Sequence, residues 1–139
     1  MTMEDLSLHI LDVVENSLRA GAKRVEVRLT QHDDGRMVLT IRDDGRGMDA
    51  AERQQALSPF YTSKGDKRFG LGLPLLAQAA QDTGGKLTLD SAPGEGTTVT
   101  AVFNADNIDM KPMGDLSKTL RVLQAANPGV EFVLEIGVA

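Results

Sequence analysis

Two pairs of segments in which apolar and polar residues alternate constrain this chain more than any other feature. Val25, Val27 and Leu29 alternate with polar neighbours, as do Met37, Leu39 and Ile41, and the turn Asp33-Asp34-Gly35 lies between them. A period of two gives each strand one apolar face, and the short turn makes the pair a hairpin. Lys86–Ser91 and Thr97–Phe103, joined by Pro93-Gly94-Glu95-Gly96, read as two further strands. Strands of this kind build a sheet with one face to bury, which helices must cover.

Segments with helical spacing are present to do so. From about Glu4 to Ala20, the residues Leu6, Ile10, Val13, Val14, Ser17 and Leu18 fall on one side, and Gly21 is a natural stop. Asp49 to Leu57 reads as a short helix, and Leu73 to Thr83 as another, with Pro74 tolerated in its first turn and Gly84-Gly85 ending it. Leu116 to Ala126 reads as the last helix and Glu131 to Ile136 as the last strand. Ser58 to Gly72, rich in Pro, Gly and charge and without a period, reads as a mobile loop. The order α, ββ, α, loop, α, ββ, α, β predicts an α/β (α+β) two-layer sandwich, its sheet mixed but mostly antiparallel, with helices on one face. With 139 residues the chain holds one core, filled mainly by aliphatic side chains, since it has four Phe, one Tyr and no Trp.

Charge and cysteine content narrow the function classes. A net charge of −5 and an acidic pI argue against a phosphate-backbone partner, which needs clustered Lys and Arg. The absence of cysteine excludes disulfides, thiolate metal sites and a Cys nucleophile. No run is apolar enough to cross a bilayer, and the acidic start Met1-Thr2-Met3-Glu4-Asp5 lacks the basic flank of a signal peptide. We expect a cytoplasmic protein with neither a nucleic-acid nor a membrane partner.

Four stretches carry candidate chemistry. His9, Asp12 and Asn16 lie within about 60° on the first helix, beside the apolar stripe. There a carboxylate and a carboxamide one turn apart can share a divalent ion, or simply form a solvated face. In Asp43-Asp44-Gly45-Arg46-Gly47-Met48, Asp43 keeps the parity of Met37, Leu39 and Ile41 and so points inward. A core-facing carboxylate is costly unless donors meet it, as a ligand's amino group would. Gly45 and Gly47 would let the backbone approach a flat ring, although a plain Asp-Gly turn after a strand fits equally. In Gly70-Leu71-Gly72-Leu73 the glycines stand at the mouth of a helix, where N–H groups suit phosphate oxygens or the glycines merely cap, with Lys64, Lys67 and Arg68 nearby. Neither the P-loop nor the dinucleotide Gly-x-Gly-x-x-Gly pattern is present, since Leu75 follows Gly72 by three. Thr97 shares parity with Val99, Ala101 and Phe103, so its hydroxyl faces the interior that Asp43 faces, or it is an ordinary strand Thr after a Gly turn.

The order and spacing of these stretches resemble the GHKL ATPases: sensor histidine kinases, anti-sigma-factor kinases, DNA gyrase, MutL and heat-shock chaperones. Glu15-Asn16-Ser17-Leu18-Arg19-Ala20-Gly21-Ala22 looks like their N box, and Asp43-Asp44-Gly45-Arg46-Gly47-Met48 like the first glycine box. Pro59-Phe60-Tyr61-Thr62-Ser63-Lys64 resembles the F box of histidine kinases, Gly70-Leu71-Gly72-Leu73 the second glycine box, and Gly96-Thr97-Thr98 the closing strand. The resemblance implies the Bergerat fold, with residues 1–105 as a histidine-kinase-like ATP-binding domain and 106–139 as a helix–strand extension packed on it. It implies ATP or ADP as ligand and Mg²⁺ as cofactor. Asn16 would ligate the metal, Asp43 would accept from the adenine amino group with Thr97 sharing a water, and Gly45, Gly47 and Met48 would line the adenine pocket. Gly70, Leu71 and Gly72 would offer N–H groups to the phosphates, and Lys64 would approach the terminal phosphates.

The pattern departs at Asp12, where hydrolysing and Ser-kinase branches usually carry Glu as general base. A carboxylate one methylene shorter would act through water, act slowly, or only hold the metal. Glu15 does not replace it, lying about 100° round the helix from Asn16. His9 reads as a metal-side or surface residue. The dimerisation helices of sensor kinases and the second domain of gyrase and MutL are not in this sequence. Three functions follow: γ-phosphoryl transfer to a partner protein in the anti-sigma or histidine-kinase manner, an ATP-gated protein-binding module, or the ATPase part of a larger assembly.

Overall fold

Each alternating segment becomes a strand and each periodic segment a helix. The computed structural model describes residues 5–58 and 71–139. In chain order these form α1 (Ser7–Arg19), β1 (Arg24–Gln31), β2 (Arg36–Asp43), α2 (Ala50–Leu57) and α3 (Gly72–Asp82), then β3 (Lys86–Ser91), β4 (Thr97–Asn104), α4 (Leu116–Ala126) and β5 (Glu131–Val138). The strands make one sheet in the order β3-β4-β2-β1-β5. The pairs β1–β2, β2–β4 and β3–β4 are antiparallel, and β5 joins β1 in parallel. The sheet is therefore mixed and mostly antiparallel, as expected.

Side-chain parity sorts the two faces. Val25, Val27, Leu39, Ile41, Val99, Ala101 and Phe103 are buried on one face, whereas Arg28 and Arg42 are exposed on the other. The helices bring Ile10 and Val14, Leu76 and Ala80, and Leu116, Leu120 and Leu123 onto the apolar face. That is a two-layer sandwich with the core between the layers.

Local chemistry sets the helix ends. Helix α1 begins at Ser7 rather than near Glu4, because the Asp5 carboxylate accepts from the Ser7 N–H at 3.1 Å and the Leu6 N–H donates to the Pro112 carbonyl at 2.8 Å. Helix α2 opens on a capping box, the Asp49 side chain accepting from the Glu52 N–H at 2.8 Å and the Asp49 N–H donating to the Glu52 carboxylate at 3.1 Å. Strand β5 runs to Val138, two residues past the expected Ile136, because its register with β1 continues to the pair Gln31–Val138.

One packing detail positions the site. A β-carbon on Gly72 would stand 2.5 Å from Cβ of Asp12 and 2.9 Å from the His9 carbonyl oxygen. The first turn of α3 thus lies directly on α1, where only a glycine fits. The same contact explains His9, which the sequence places off the apolar stripe but which is 5% exposed. A second helix covers that flank, and periodicity within one helix carries no information about it.

Candidate functional site

Asp43 is the last residue of β2, inward-facing by parity and only 8% exposed. Both oxygens of its carboxylate are engaged. Oδ2 accepts from the Ser17 hydroxyl at 2.6 Å and Oδ1 from the Gly45 N–H at 2.9 Å. Two donors fix the carboxylate plane while leaving lone pairs for a third partner, since an ionised carboxylate offers about four acceptor positions. Asp43 lies in the wall of a slot between α1 and the sheet, whose other walls are largely apolar, with Val13, Ile41, Met48, Leu73 and Val99. A mostly apolar slot with one oriented acceptor suits a flat heterocycle carrying an exocyclic amine.

Thr97 pairs with Asp43 in the β2–β4 register and also lines the slot. Its hydroxyl lies 2.8 Å from that of Ser91, which donates to the Gly96 carbonyl at 2.9 Å and accepts from the Met48 N–H at 2.8 Å. Ser91 has one proton; when Gly96 takes it, Thr97 must be the donor to Ser91, and the Thr97 oxygen remains an acceptor. Ser91 was not apparent in the sequence, because its role depends on contacts between strand ends.

The glycines pack against protein. Gly47 has φ +74°, and a β-carbon there would meet the Ala92 carbonyl oxygen at 1.9 Å. At Gly45 a β-carbon would come within 2.9 Å of Ala20 Cβ. The Arg46 N–H donates to the Ala20 carbonyl at 2.9 Å, and the Gly94 N–H donates to the Arg46 carbonyl at 2.7 Å. Three loops are stitched together here, and this close fit gives the slot its shape. Asp44 turns away to the back of the sheet, where Oδ1 accepts from the N–H groups of Lys23 (2.7 Å) and Arg24 (3.0 Å). The Arg24 N–H above all, with the Lys23 N–H, holds this carboxyl below the ordinary aspartate range.

Asn16 and Arg19 of α1 also line the slot, the Arg19 guanidinium donating to the Asn16 carboxamide oxygen. Nearby α3 opens on Leu71, which has no side-chain acceptor to cap the helix. The first helical hydrogen bond is donated by Leu75 to the Leu71 carbonyl, and Pro74 has no N–H. Gly72 and Leu73 therefore carry first-turn N–H groups without intrahelical acceptors. Asp12 is half-buried beside Gly72 and is not among the residues lining the slot. Among the described residues no three His, Cys, Asp or Glu side chains converge to hold a metal ion. A divalent ion at Asn16 would have one neutral protein oxygen and take its other ligands from phosphate and water. Lys64 and Gly70 lie outside the described residues. Ser17, Arg19 and Arg46 also line the slot, and the helical wheel, which places Ser17 in the apolar stripe, gives no sign of its role.

A family model for the histidine kinase-, DNA gyrase B- and HSP90-like ATPases matches residues 3–107. The chain belongs to this family. It is 34% identical over 90 residues to the sensor histidine kinase ZraS of Klebsiella oxytoca, covering 65% of this chain and 19% of that protein. It is 32% identical over 108 residues to the cell-division control histidine kinase PdhS of Brucella ovis, covering 67% of this chain and 10% of that protein. The match thus spans a fifth or less of these kinases. Among solved structures, the ADP-complexed ATPase domain of Aquifex aeolicus MutL aligns with a TM-score of 0.55 at 17% identity, covering 98% of this chain and 61% of that one. The blue-light activated histidine kinase of Erythrobacter litoralis aligns with a TM-score of 0.54 at 21% identity, covering 73% of this chain and 30% of that one. At these identities the likeness establishes the Bergerat fold. No helix among the described residues of this GHKL ATPase domain is long and apolar enough to cross a membrane.

Proposed function

We propose that this GHKL domain binds ATP with Mg²⁺ in the slot between α1 and the sheet and transfers the γ-phosphoryl group to a partner protein. The observation that carries the binding half is the buried Asp43 carboxylate, oriented by Ser17 and Gly45 against an apolar wall. In this reading Asp43 accepts from the adenine amino group, Thr97 accepts from a shared water, and Gly45, Gly47 and Met48 form the ring's surroundings. Asn16 holds the metal, which when bound neutralises phosphate charge. Leu71 and Gly72, with Gly70 and Lys64, bind the phosphates. Asp12 takes the proton from the attacking hydroxyl or imidazole as the new P–O or P–N bond forms and the bond to ADP breaks. Residues 1–105 make up the ATP-binding domain, and 106–139 pack on it through β5 beside β1. A cytoplasmic location agrees with the ATP requirement and the lack of cysteine.

A second reading has a specific observation behind it. Asp12 is wedged against Gly72 and outside the slot lining, which favours an ATP-gated protein-binding module with slow or no turnover.

Calorimetric titration of ATP with Mg²⁺ tests the binding half. Asp43→Asn should weaken all adenine nucleotides by about ten- to a hundredfold, because an amide offers one acceptor oxygen and hydrogen bonds to charged groups are worth about 1.5–3 kcal/mol. Asn16→Ala should remove mainly the Mg²⁺-dependent part. Unchanged binding in both variants would refute the assignment. Transfer of label from γ-labelled ATP to a partner protein, lost in Asp12→Asn, distinguishes the kinase from the gated module.

A further inference from the structure

The sheet has two edges, β3 and β5, and the sequence treats them differently. Strand β3 has six residues, of which Lys86, Thr88 and Asp90 are exposed. The Arg53 side chain of α2 donates to the Ser91 carbonyl at its end. A short, charged, partly capped strand is the usual protection against unwanted pairing. Strand β5 is longer and lacks such a cap among the described residues, and its charges are the two acids Glu131 and Glu135. Its eight residues contain no Pro and no Lys and keep an unbroken register against β1.

Its charges do not guard it either. Glu131 pairs with Arg24 at 2.5 Å and Glu135 with Arg28 at 3.4 Å, within the chain. These acids are neutralised across the outer face of the sheet, where they would otherwise repel an approaching strand.

The backbone of β5 faces outward at alternate residues. The N–H of Glu131 donates to the Lys23 carbonyl and that of Ala139 to the Gln31 carbonyl, each at 2.9 Å. Odd-numbered residues therefore address β1. Phe132, Leu134, Ile136 and Val138 direct their N–H and C=O groups to the open edge. The side chains of these four lie on the helix-covered face of the sheet, but the cover gives out along the strand. Phe132 and Leu134 are half-buried, Ile136 is 64% exposed and Val138 78%.

We infer that β5 is a self-association edge, to which a second copy of this chain adds its own β5 antiparallel across a two-fold axis at Ile136. The segment Leu134-Glu135-Ile136-Gly137-Val138 is complementary to itself in that register. Ile136 opposes Ile136, Leu134 opposes Val138, and Glu135 opposes Gly137. Moving the axis one position towards Glu135 would oppose Glu135 to Glu135, which is unfavourable, and moving it one position towards Gly137 would oppose two glycines, which offer no side-chain contact. The outward N–H and C=O groups of 134, 136 and 138 fall in the hydrogen-bonded pairs of the antiparallel ladder. The two uncovered aliphatic side chains are buried, and the five-stranded sheet continues into a ten-stranded one with both helix layers on the same side. The closed two-fold stops the growth that an open edge would otherwise permit.

Sedimentation velocity on the full chain across a wide concentration range tests this. The mass should rise with concentration from 14.9 kDa towards twice that value. Ile136→Lys should stay at the monomer mass with unchanged circular dichroism and melting, because the side chain is exposed in the single chain. Thr88→Lys on the opposite edge should assemble like the wild type. Mixing Ile136→Lys with Ile136→Glu should restore a dimer holding one of each. A wild type monomeric throughout, as expected if the edge serves a different protein, would overturn the inference. So would an Ile136→Lys variant that still assembles, a Thr88→Lys variant that does not, or a mixture that stays monomeric.

Discussion

Ser17 sits one residue after Asn16 on α1, and the turn of the helix sends the two side chains to different places. Asn16 lines the slot, whereas Ser17 is 4% exposed and donates to Asp43 at 2.6 Å. A hydroxyl donating to a buried carboxylate belongs among the stronger class of hydrogen bonds, about 1.5–3 kcal/mol. Ser17→Ala should lower the unfolding free energy by about that amount, read by urea denaturation. It should also weaken ADP binding, because the carboxylate loses one of the two donors that fix its plane. A variant as stable as wild type would mean that water replaces the hydroxyl without cost. Asp43 is legible in the sequence because it continues the parity of Leu39 and Ile41 at a strand end. Ser17 is not, since on a helical wheel a small Ser passes as part of the apolar stripe; only Asp43 arriving from the sheet shows what it is for. Asp44, adjacent to Asp43 in the same motif, turns to the opposite face and accepts from the N–H groups of Lys23 and Arg24 at the start of β1.

At the level of elements, the glycines separate two physical reasons that the sequence leaves merged. Gly47 needs its positive φ and also abuts the Ala92 carbonyl at 1.9 Å from a would-be β-carbon. Gly47→Ala meets both penalties and should cost upward of about 3 kcal/mol, since left-handed backbone alone costs a non-glycine residue about 1–3 kcal/mol. Gly72 is the opposite case. It is the first residue of α3, without a positive φ, where alanine is intrinsically better by up to about 1 kcal/mol. Yet a β-carbon at 2.5 Å from Asp12 Cβ must push α3 off α1. Gly72→Ala should therefore lower Tm despite the gain in propensity, and a raised Tm would show that the two helices separate without loss. Helices and antiparallel strands were readable because each repeats its own period, and α4 falls at Leu116–Ala126 as its spacing predicts. The parallel pairing of β5 with β1 was not readable, because the partners are a hundred residues apart and no turn residue marks such a contact.

Across the whole molecule, β1 is the strand to which the rest is tied, and carboxylates do much of the tying. Its first residue, Arg24, and the preceding Lys23 donate N–H groups to Asp44 of the β2 loop, and Arg24 bonds both Glu26 and Glu131 of β5. Asp44 is held below its ordinary range chiefly by the Arg24 N–H, Asp34 by the Arg36 N–H, and Glu26 by the Arg24 guanidinium. A carboxyl whose pKa is lowered on folding supplies stability that is fully present above its unfolded value, about 3.9 for Asp and 4.3 for Glu. That stability is lost as the pH falls through the folded value, because protonation removes the charge that the N–H or guanidinium groups favour. Stability should therefore be level near neutrality and decline below about pH 4.5, when urea midpoints are followed as a function of pH. Asp44→Asn isolates one contribution. The amide oxygen can still accept from both N–H groups but cannot ionise, so the variant should be less stable than wild type at pH 7. The gap should close as the pH drops below the unfolded aspartate value. Parallel curves down to the acid limit would mean that the negative charge on Asp44 contributes nothing, and that the link between the β2 loop and β1 rests on geometry alone.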